Sequence, residues 1–214
     1  MTRSEIAPAG NLRRAFPIAL LGLILLFFAS LKIAHNGRPF LTGADGGLYT
    51  DIAEHVRDGD GLVTDVSLYN HGYPRFPYPT AIYPAWPLVY GAAARLVPPG
   101  VAGTWLPTIG YFVALIFAYL WAAPLGRAAR RPGAWVNPGH ALVLFLGLNG
   151  KFFAYTSLPF TEGLGFAIFF AGLWRFRKIG GSRSLAHAAE MGVWLAALML
   201  VRSHFLIVAL AAFL

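Results

Sequence analysis

The chain predicts an all-α polytopic membrane protein, a transmembrane helix bundle carrying one large outer loop with short interfacial helices. Three observations predict it. First, 57% of the 214 residues are hydrophobic and only 12% are charged, where a soluble domain usually carries about 25% charged residues; mean hydropathy is +0.58. Second, apolar runs near spanning length recur along the chain, separated by basic clusters. Third, the carboxylates collect in one place: Asp45, Asp51, Glu54, Asp58, Asp60 and Asp65 are six of the nine acidic residues.

The net charge of +8 could point to nucleic acid, but a polytopic protein gathers Lys and Arg in its cytoplasmic loops for orientation alone. No basic stripe is interleaved with exposed aromatics, so nucleic acid is not among the expected partners. The absence of cysteine excludes disulfides, thiolate metal sites and a cysteine nucleophile. The six histidines lack the spacing of a zinc site. No loop of the P-loop or dinucleotide kind is present, which leaves a soluble nucleotide-sugar or ATP site without support.

After Arg13 and Arg14, residues 15 to 31 form an unbroken apolar run that approaches the ~20 residues a bilayer helix needs. Lys32 and bulky residues follow where a signal peptide would show small residues, so the run reads as an uncleaved anchor. Residues 105 to 124 supply a second span, 139 to 156 and 159 to 174 two more, and roughly 185 to 201 a fifth. The closing FLIVALAAFL starts a further helix, which suggests the front part of a larger protein. Residues 82 to 97 are apolar but contain Pro84, Pro87 and Arg95, and at 1.5 Å per residue they reach roughly 24 Å, short of a ~30 Å hydrocarbon core. If they do not cross, Arg3/Arg13/Arg14, Arg127/Arg130/Arg131 and Arg175/Arg177/Lys178/Arg183 share one side, which the positive-inside rule makes cytoplasmic. The expectation is a single transmembrane domain over 1–214 in the cytoplasmic (inner) membrane, with a cytoplasmic N-terminus and an outer loop over 35–104.

Within that loop Leu48, Ile52 and Val56 recur every four residues while Asp51, Glu54, His55 and Asp58 take other faces, the pattern of a short amphipathic helix on the membrane surface. Asp45 stands at its start, where an N-cap is the ordinary role. Asp58-Gly-Asp60-Gly61 resembles part of a calcium loop, but Leu62 falls where a third ligand belongs, so a turn is expected. In residues 69 to 87, YNHGYPRFPYPTAIYPAWP, Tyr and Pro alternate too often for helix or sheet. Such a segment is extended, and its rings suit the headgroup region, as anchors or as a platform for a lipid-linked or sugar substrate that includes Tyr83. His187 and Glu190, three residues apart, read as a helix-surface pair, and Gly163 and Gly165 as contacts that let helices pack closely.

A first span followed by Asp-x-x-x-Tyr (Asp45, Tyr49), Ile52-Ala53, Gly59-x-Gly61 and then YPTAIYPAWPLVYGAAARLV resembles the integral-membrane glycosyltransferases of the GT-C class. More narrowly, it is similar to the protein-mannosyltransferase and aminoarabinose-transferase group, over about residues 35 to 205. The resemblance implies a GT-C-like bundle, a polyprenyl-phosphate sugar donor, and a glycan, lipid or protein acceptor at the outer face. It places the catalytic base on Asp45, with Tyr49 beside it. The chain departs from the family in Gly46, where relatives carry a second acid, and in AIYPAWP, where PPLYP is usual, so subfamily and acceptor stay open.

Under that resemblance a carboxylate accepts the acceptor's proton, an effect on the order of 100- to 10,000-fold. Anionic charge favours an oxocarbenium-like transition state, and cations must meet the leaving phosphate. Arg202 with His204, set between apolar runs, is the leading cation, with snorkelling as its plain alternative. Glu162 binds the acceptor or caps a helix after Thr161, and Lys151 binds phosphate or marks the membrane boundary. No metal ligands are assigned, no cofactor is certain, and a divalent metal stays open. The competing classes are a transporter or flippase for a lipid-linked or small anionic substrate, which would place ionisable residues mid-span, and a membrane scaffold protein.

Overall fold

The computed structural model describes residues 8–36, 44–66, 77–79, 83–125, 136–179 and 184–202. It is helical almost throughout. The elements are α1 (Pro8–Asn36), α2 (Ala44–Asp58), β1 (Val63–Thr64), β2 (Tyr78–Pro79), α3 (Ala85–Ala94), α4 (Pro99–Ala122), α5 (Pro138–Leu148), α6 (Gly150–Tyr155), α7 (Glu162–Ile179) and α8 (Leu185–Val201). The two short strands pair antiparallel, with Val63 opposite Pro79 and Thr64 opposite Tyr78.

Among the described residues, two helices are long and apolar enough to cross a membrane, Ala15–Asn36 and Pro99–Ala122. The first continues through Lys32 to Asn36, beyond the expected end at residue 31, because Lys32 finds oxygen partners inside the protein. The second begins at Pro99 rather than residue 105, with Pro99 in the first helical position, where its missing N–H costs nothing. The loop between them therefore ends six residues before the expected boundary at 104. The stretch 139 to 156, read as one span, is two helices. Asn149 is extended between them (φ −68°, ψ 106°), and its side chain accepts from the Phe152 N–H at 2.9 Å, ending α5 and starting α6 in one residue. The 11 residues of α5 rise only about 16 Å. α8, at 17 residues, is apolar but also short of a full span.

α4 and α7 form the tightest crossing. A Cβ on Gly110 would meet the Gly163 carbonyl carbon at 2.5 Å, and one on Gly163 would meet the Pro107 backbone. Gly163 thus has the packing role expected of it, and Gly165 is buried alongside. Gly147 does the same for α1, since a side chain there would collide with the Phe28 ring. Around these contacts Phe28, Tyr111, Ala114, Leu115, Ala118, Val143, Phe152 and Phe170 make the main core. α5 starts with a reciprocal cap: the Asn137 side chain accepts from the Gly139 and His140 N–H groups, and the Asn137 N–H donates to His140 Nδ1. The His140 Nε2–H is then the donor to the Pro17 carbonyl, 2.9 Å away, which ties α5 to α1.

α2 is the amphipathic helix the loop predicted. Its apolar stripe is covered by protein, with Leu48 and Ile52 almost fully buried, where a membrane surface was expected. α3 lies against it so closely that a Cβ on Gly91 would strike the Val56 side chain. At ten residues α3 is about 15 Å long, half a bilayer, in keeping with a segment that does not cross. Trp86, expected among headgroup anchors, is instead buried with Tyr90, Ala53 and Ala102, and its indole N–H donates to the Pro159 carbonyl.

One end of the bundle carries α2, α3, the start of α4 and the turn between α6 and α7. The opposite end carries Arg175, Arg177 and Lys178. There Arg175 forms a two-point ion pair with Glu190 across α7 and α8 (2.5 and 3.0 Å), so Glu190 takes its partner from the facing helix. Arg177 donates to the Trp121 carbonyl, and Lys178 sits 4.0 Å from the Trp174 ring centre.

Candidate functional site

At the α2 end a cavity of about 310 Å³ opens between three helices and a turn. α2 presents Gly47, Thr50, Asp51 and Glu54, spaced i, i+3, i+4 and i+7, which is one face of a helix. Tyr90 of α3, Thr104 of α4 and Ser157, Leu158 and Pro159 of the α6–α7 turn complete it. Gly100 and Gly103 keep the α4 wall low, and a side chain on Gly103 would displace the Tyr90 ring. The Tyr90 hydroxyl donates to the Pro99 carbonyl at 2.9 Å and lies 3.2 Å from Thr50 Oγ1. Burial pushes the Tyr90 phenol up from its ordinary pKa, the Thr50 hydrogen bond opposes this, and the charge of Glu54 adds to it. That phenol stays protonated as a donor.

The two cavity carboxylates differ. Asp51 Oδ2 accepts from the Thr64 hydroxyl at 2.5 Å and from the Asp65 N–H at 2.9 Å, which fixes it. Glu54 is exposed and makes no hydrogen bond among the described residues, so its carboxylate is free to take a proton or a ligand.

Behind Asp51, His55 is held between Asp60 (Nδ1 to Oδ2, 3.0 Å) and Asp65 (Nε2 to Oδ2, 3.3 Å). Asp60 foremost raises the imidazole pKa through its hydrogen bond; partial burial opposes it, and the charges of Asp51 and Asp65 support it. Asp51, His55 and Asp65 bring three donor atoms within 4.8 Å of one another, the separation of a divalent-cation site. When the imidazole is protonated on both nitrogens it donates to Asp60 and Asp65 and has no lone pair for a metal; when it is neutral, one nitrogen is left to coordinate. The carboxylates around the ring favour its protonated form. The turn after it is the one expected: Gly59 and Gly61 adopt φ +97° and +91°, a region other residues avoid, and the Gly59 and Asp60 N–H groups cap the His55 carbonyl.

Of the residues the sequence singled out, Glu162 and Arg202 are brought together. Their side chains form an ion pair between the start of α7 and the end of α8, with Thr161 Oγ1 also 3.5 Å from the guanidinium. Glu162 Oε2 is buried with no hydrogen bond in the described structure. Arg202 thus has a carboxylate partner, and Glu162, in the first turn of α7, reaches across to the end of α8. Asp45 lies in the first turn of α2, not ahead of it as an N-cap, and is exposed. At 100° per residue it stands on the face opposite Gly47, Thr50, Asp51 and Glu54, away from the cavity. Tyr49 packs against the Trp86–Tyr90 cluster; Tyr83 is half-buried just before α3; Lys151 is exposed at the start of α6. His204 lies outside the described residues.

Sequence reasoning missed Lys32. It is fully buried, and its Nζ lies 2.5 Å from the Phe153 carbonyl, 2.9 Å from Thr156 Oγ1 and 2.5 Å from Ser157 Oγ. The Tyr111 and Phe153 ring centres are 4.7 and 4.3 Å away. No carboxylate bonds it among the described residues. Its oxygens lie more than 120 positions along the chain, so no local spacing could reveal the cage. Beyond it, an apolar groove of about 400 Å³ runs between α1 and α5–α6, lined by Phe28, Leu31, His35 and Phe153 among others.

No protein-family model matches the chain, and no curated protein or solved structure matches it either. The site stands on its own geometry.

Proposed function

We propose that the protein is a multi-pass membrane glycosyltransferase of GT-C type that moves a sugar from a polyprenyl-phosphate carrier to an acceptor at the outer face of the cytoplasmic membrane. The observation that carries this reading is the α2 cavity. Its size suits a monosaccharide, and two carboxylates with the hydroxyls of Thr50, Tyr90 and Thr104 offer the acceptors and donors that a polyol exchanges. The groove beside α1 supplies an apolar bed for a lipid tail. The separation of α2 from Arg175, Arg177 and Lys178 supports an outward cavity under the positive-inside rule.

Glu54 is the base this geometry favours, because it faces the cavity with a free carboxylate; Asp51 is fixed beside it and adds anionic charge. Asp45 is the base that family resemblance favours. Both are tested with the full chain in membrane vesicles, a polyprenyl-phosphate sugar donor and a labelled-sugar readout. Glu54→Gln is expected to lower transfer on the order of 100- to 10,000-fold, and Asp45→Asn to leave it within a few fold. The reverse result would return the role to Asp45. Wild-type protein inactive with every donor and acceptor supplied would remove the reading. The transporter alternative has the buried Lys32 in its favour, but that amine is enclosed by three oxygens near the end of α1 rather than facing a path.

A further inference from the structure

The floor of the cavity holds a second constellation that glycosyl transfer does not use. Ser157 lines the cavity on one side and meets Lys32 on the other, with Nζ to Oγ at 2.5 Å. The three oxygens around Nζ are not equivalent. The Phe153 carbonyl can only accept. Thr156 spends its own hydrogen on the Phe152 carbonyl at 2.6 Å, so toward Lys32 it too accepts. Ser157 differs, because the other acceptor within its reach, the Phe153 carbonyl, is 3.3 Å away. A neutral amine has two N–H groups and one lone pair. With the amine charged, Nζ donates to all three oxygens and the Ser157 hydroxyl donates to the Phe153 carbonyl; with the amine neutral, the Phe153 and Thr156 oxygens take its two hydrogens and, among the described residues, the Ser157 hydroxyl is placed to donate to the lone pair. No carboxylate among the described residues stands against Nζ to demand the charged form, and the Tyr111 and Phe153 rings replace a counter-ion only in part.

We propose that Ser157 and Lys32 form a nucleophile and general-base pair that cleaves an ester bound in the cavity. Hydroxyl and amine in direct hydrogen-bond contact, with the amine desolvated and oriented by further groups, is the arrangement that activates a serine through a lysine. Ser157 Oγ forms a bond to the ester carbonyl carbon as its proton passes to Lys32 Nζ. The carbonyl carbon–alkoxy oxygen bond then breaks, and the departing alcohol takes that proton back. Water attacks the acyl-serine, Lys32 accepts the water's proton and returns it to Oγ, and a carboxylic acid leaves. Asp51 and Glu54 at the cavity wall repel anionic esters and select a neutral or cationic one, such as an acylated polyol or amino alcohol. This activity does not depend on the sugar-transfer reading.

The test is covalent labelling of the full chain in detergent micelles with a fluorophosphonate, whose phosphorus takes Ser157 Oγ as fluoride departs, read by peptide mass spectrometry. Wild-type protein is expected to label at Ser157, and Ser157→Ala to lose that label with its circular dichroism unchanged. Lys32→Met and Lys32→Arg are each expected to slow labelling about 100-fold or more, the scale of a lost general base. Arginine keeps the donors that hold the turn but cannot accept a proton, so it separates chemistry from support if the methionine variant fails to fold. An unlabelled Ser157 in folded wild-type protein overturns the proposal and leaves Lys32 as a strut; so does labelling of Lys32→Arg at the wild-type rate. If neither lysine variant folds, the wild-type result decides alone.

Discussion

At the scale of single residues, the acidic segment shows how far local pattern reaches. Gly59 and Gly61 were legible as a turn because the requirement they meet, a positive φ, is set by each residue's own backbone. His55 was not legible as an imidazole held between two carboxylates, because those carboxylates come from the turn after α2 and from the residue after β1. A histidine whose pKa is raised on folding stabilises fully below its unfolded value of about 6.5 and loses that contribution as pH climbs through the raised value. The thermal midpoint of wild-type protein in micelles is therefore expected to fall between pH 6 and pH 8, more steeply than that of His55→Asn. Parallel curves for the two proteins would show that this ring does not couple to folding. The same distance argument explains Glu162 and Arg202. Each stood out alone in sequence, as a polar residue at the edge of an apolar run, yet their mutual pairing spans 40 positions.

At the scale of elements, hydropathy located the helices but not their breaks. Between His140 and Thr156 the run is apolar apart from Asn149-Gly150-Lys151, and the one Asn that ends α5 and caps α6 decides the matter. Composition averages over such a residue, whereas backbone hydrogen bonding does not. The α2 stripe was read correctly and its partner was not, since period alone says which face is apolar and never what covers it. Glycine packing is the element-level feature with the sharpest expectation. Gly163→Ala pushes a methyl into the Pro107 backbone and is expected to lower stability by about 1–3 kcal/mol, as overpacking does. Gly192→Ala, with open space around it in α8, is expected to raise it by up to ~1 kcal/mol through helix propensity. Denaturation of both variants in the same detergent checks the pair, and equal effects would deny the α4–α7 crossing its tightness.

At the scale of the whole molecule, the expected one-sided charge layout rests on Arg175, Arg177 and Lys178 alone, because Arg3, Arg127, Arg130, Arg131, Arg183 and the side chains of Arg13 and Arg14 lie outside the described residues. In the proposed orientation, single cysteines at position 60 and at position 178 are expected to react with a membrane-impermeant thiol reagent from opposite sides of sealed cells, position 60 from outside. Labelling of both from the same side would remove the outward cavity and the function built on it. What composition could not convey is that the bundle closes on a lysine whose oxygens lie up to 125 positions away. At a synthesis rate of about 5–20 residues per second, roughly 6 to 25 seconds separate the emergence of Lys32 from that of Ser157. If α1 enters the bilayer as proposed, the nascent chain waits through that interval with an uncaged amine near its first exit point. The cage around that amine closes only when the turn after α6 has left the ribosome.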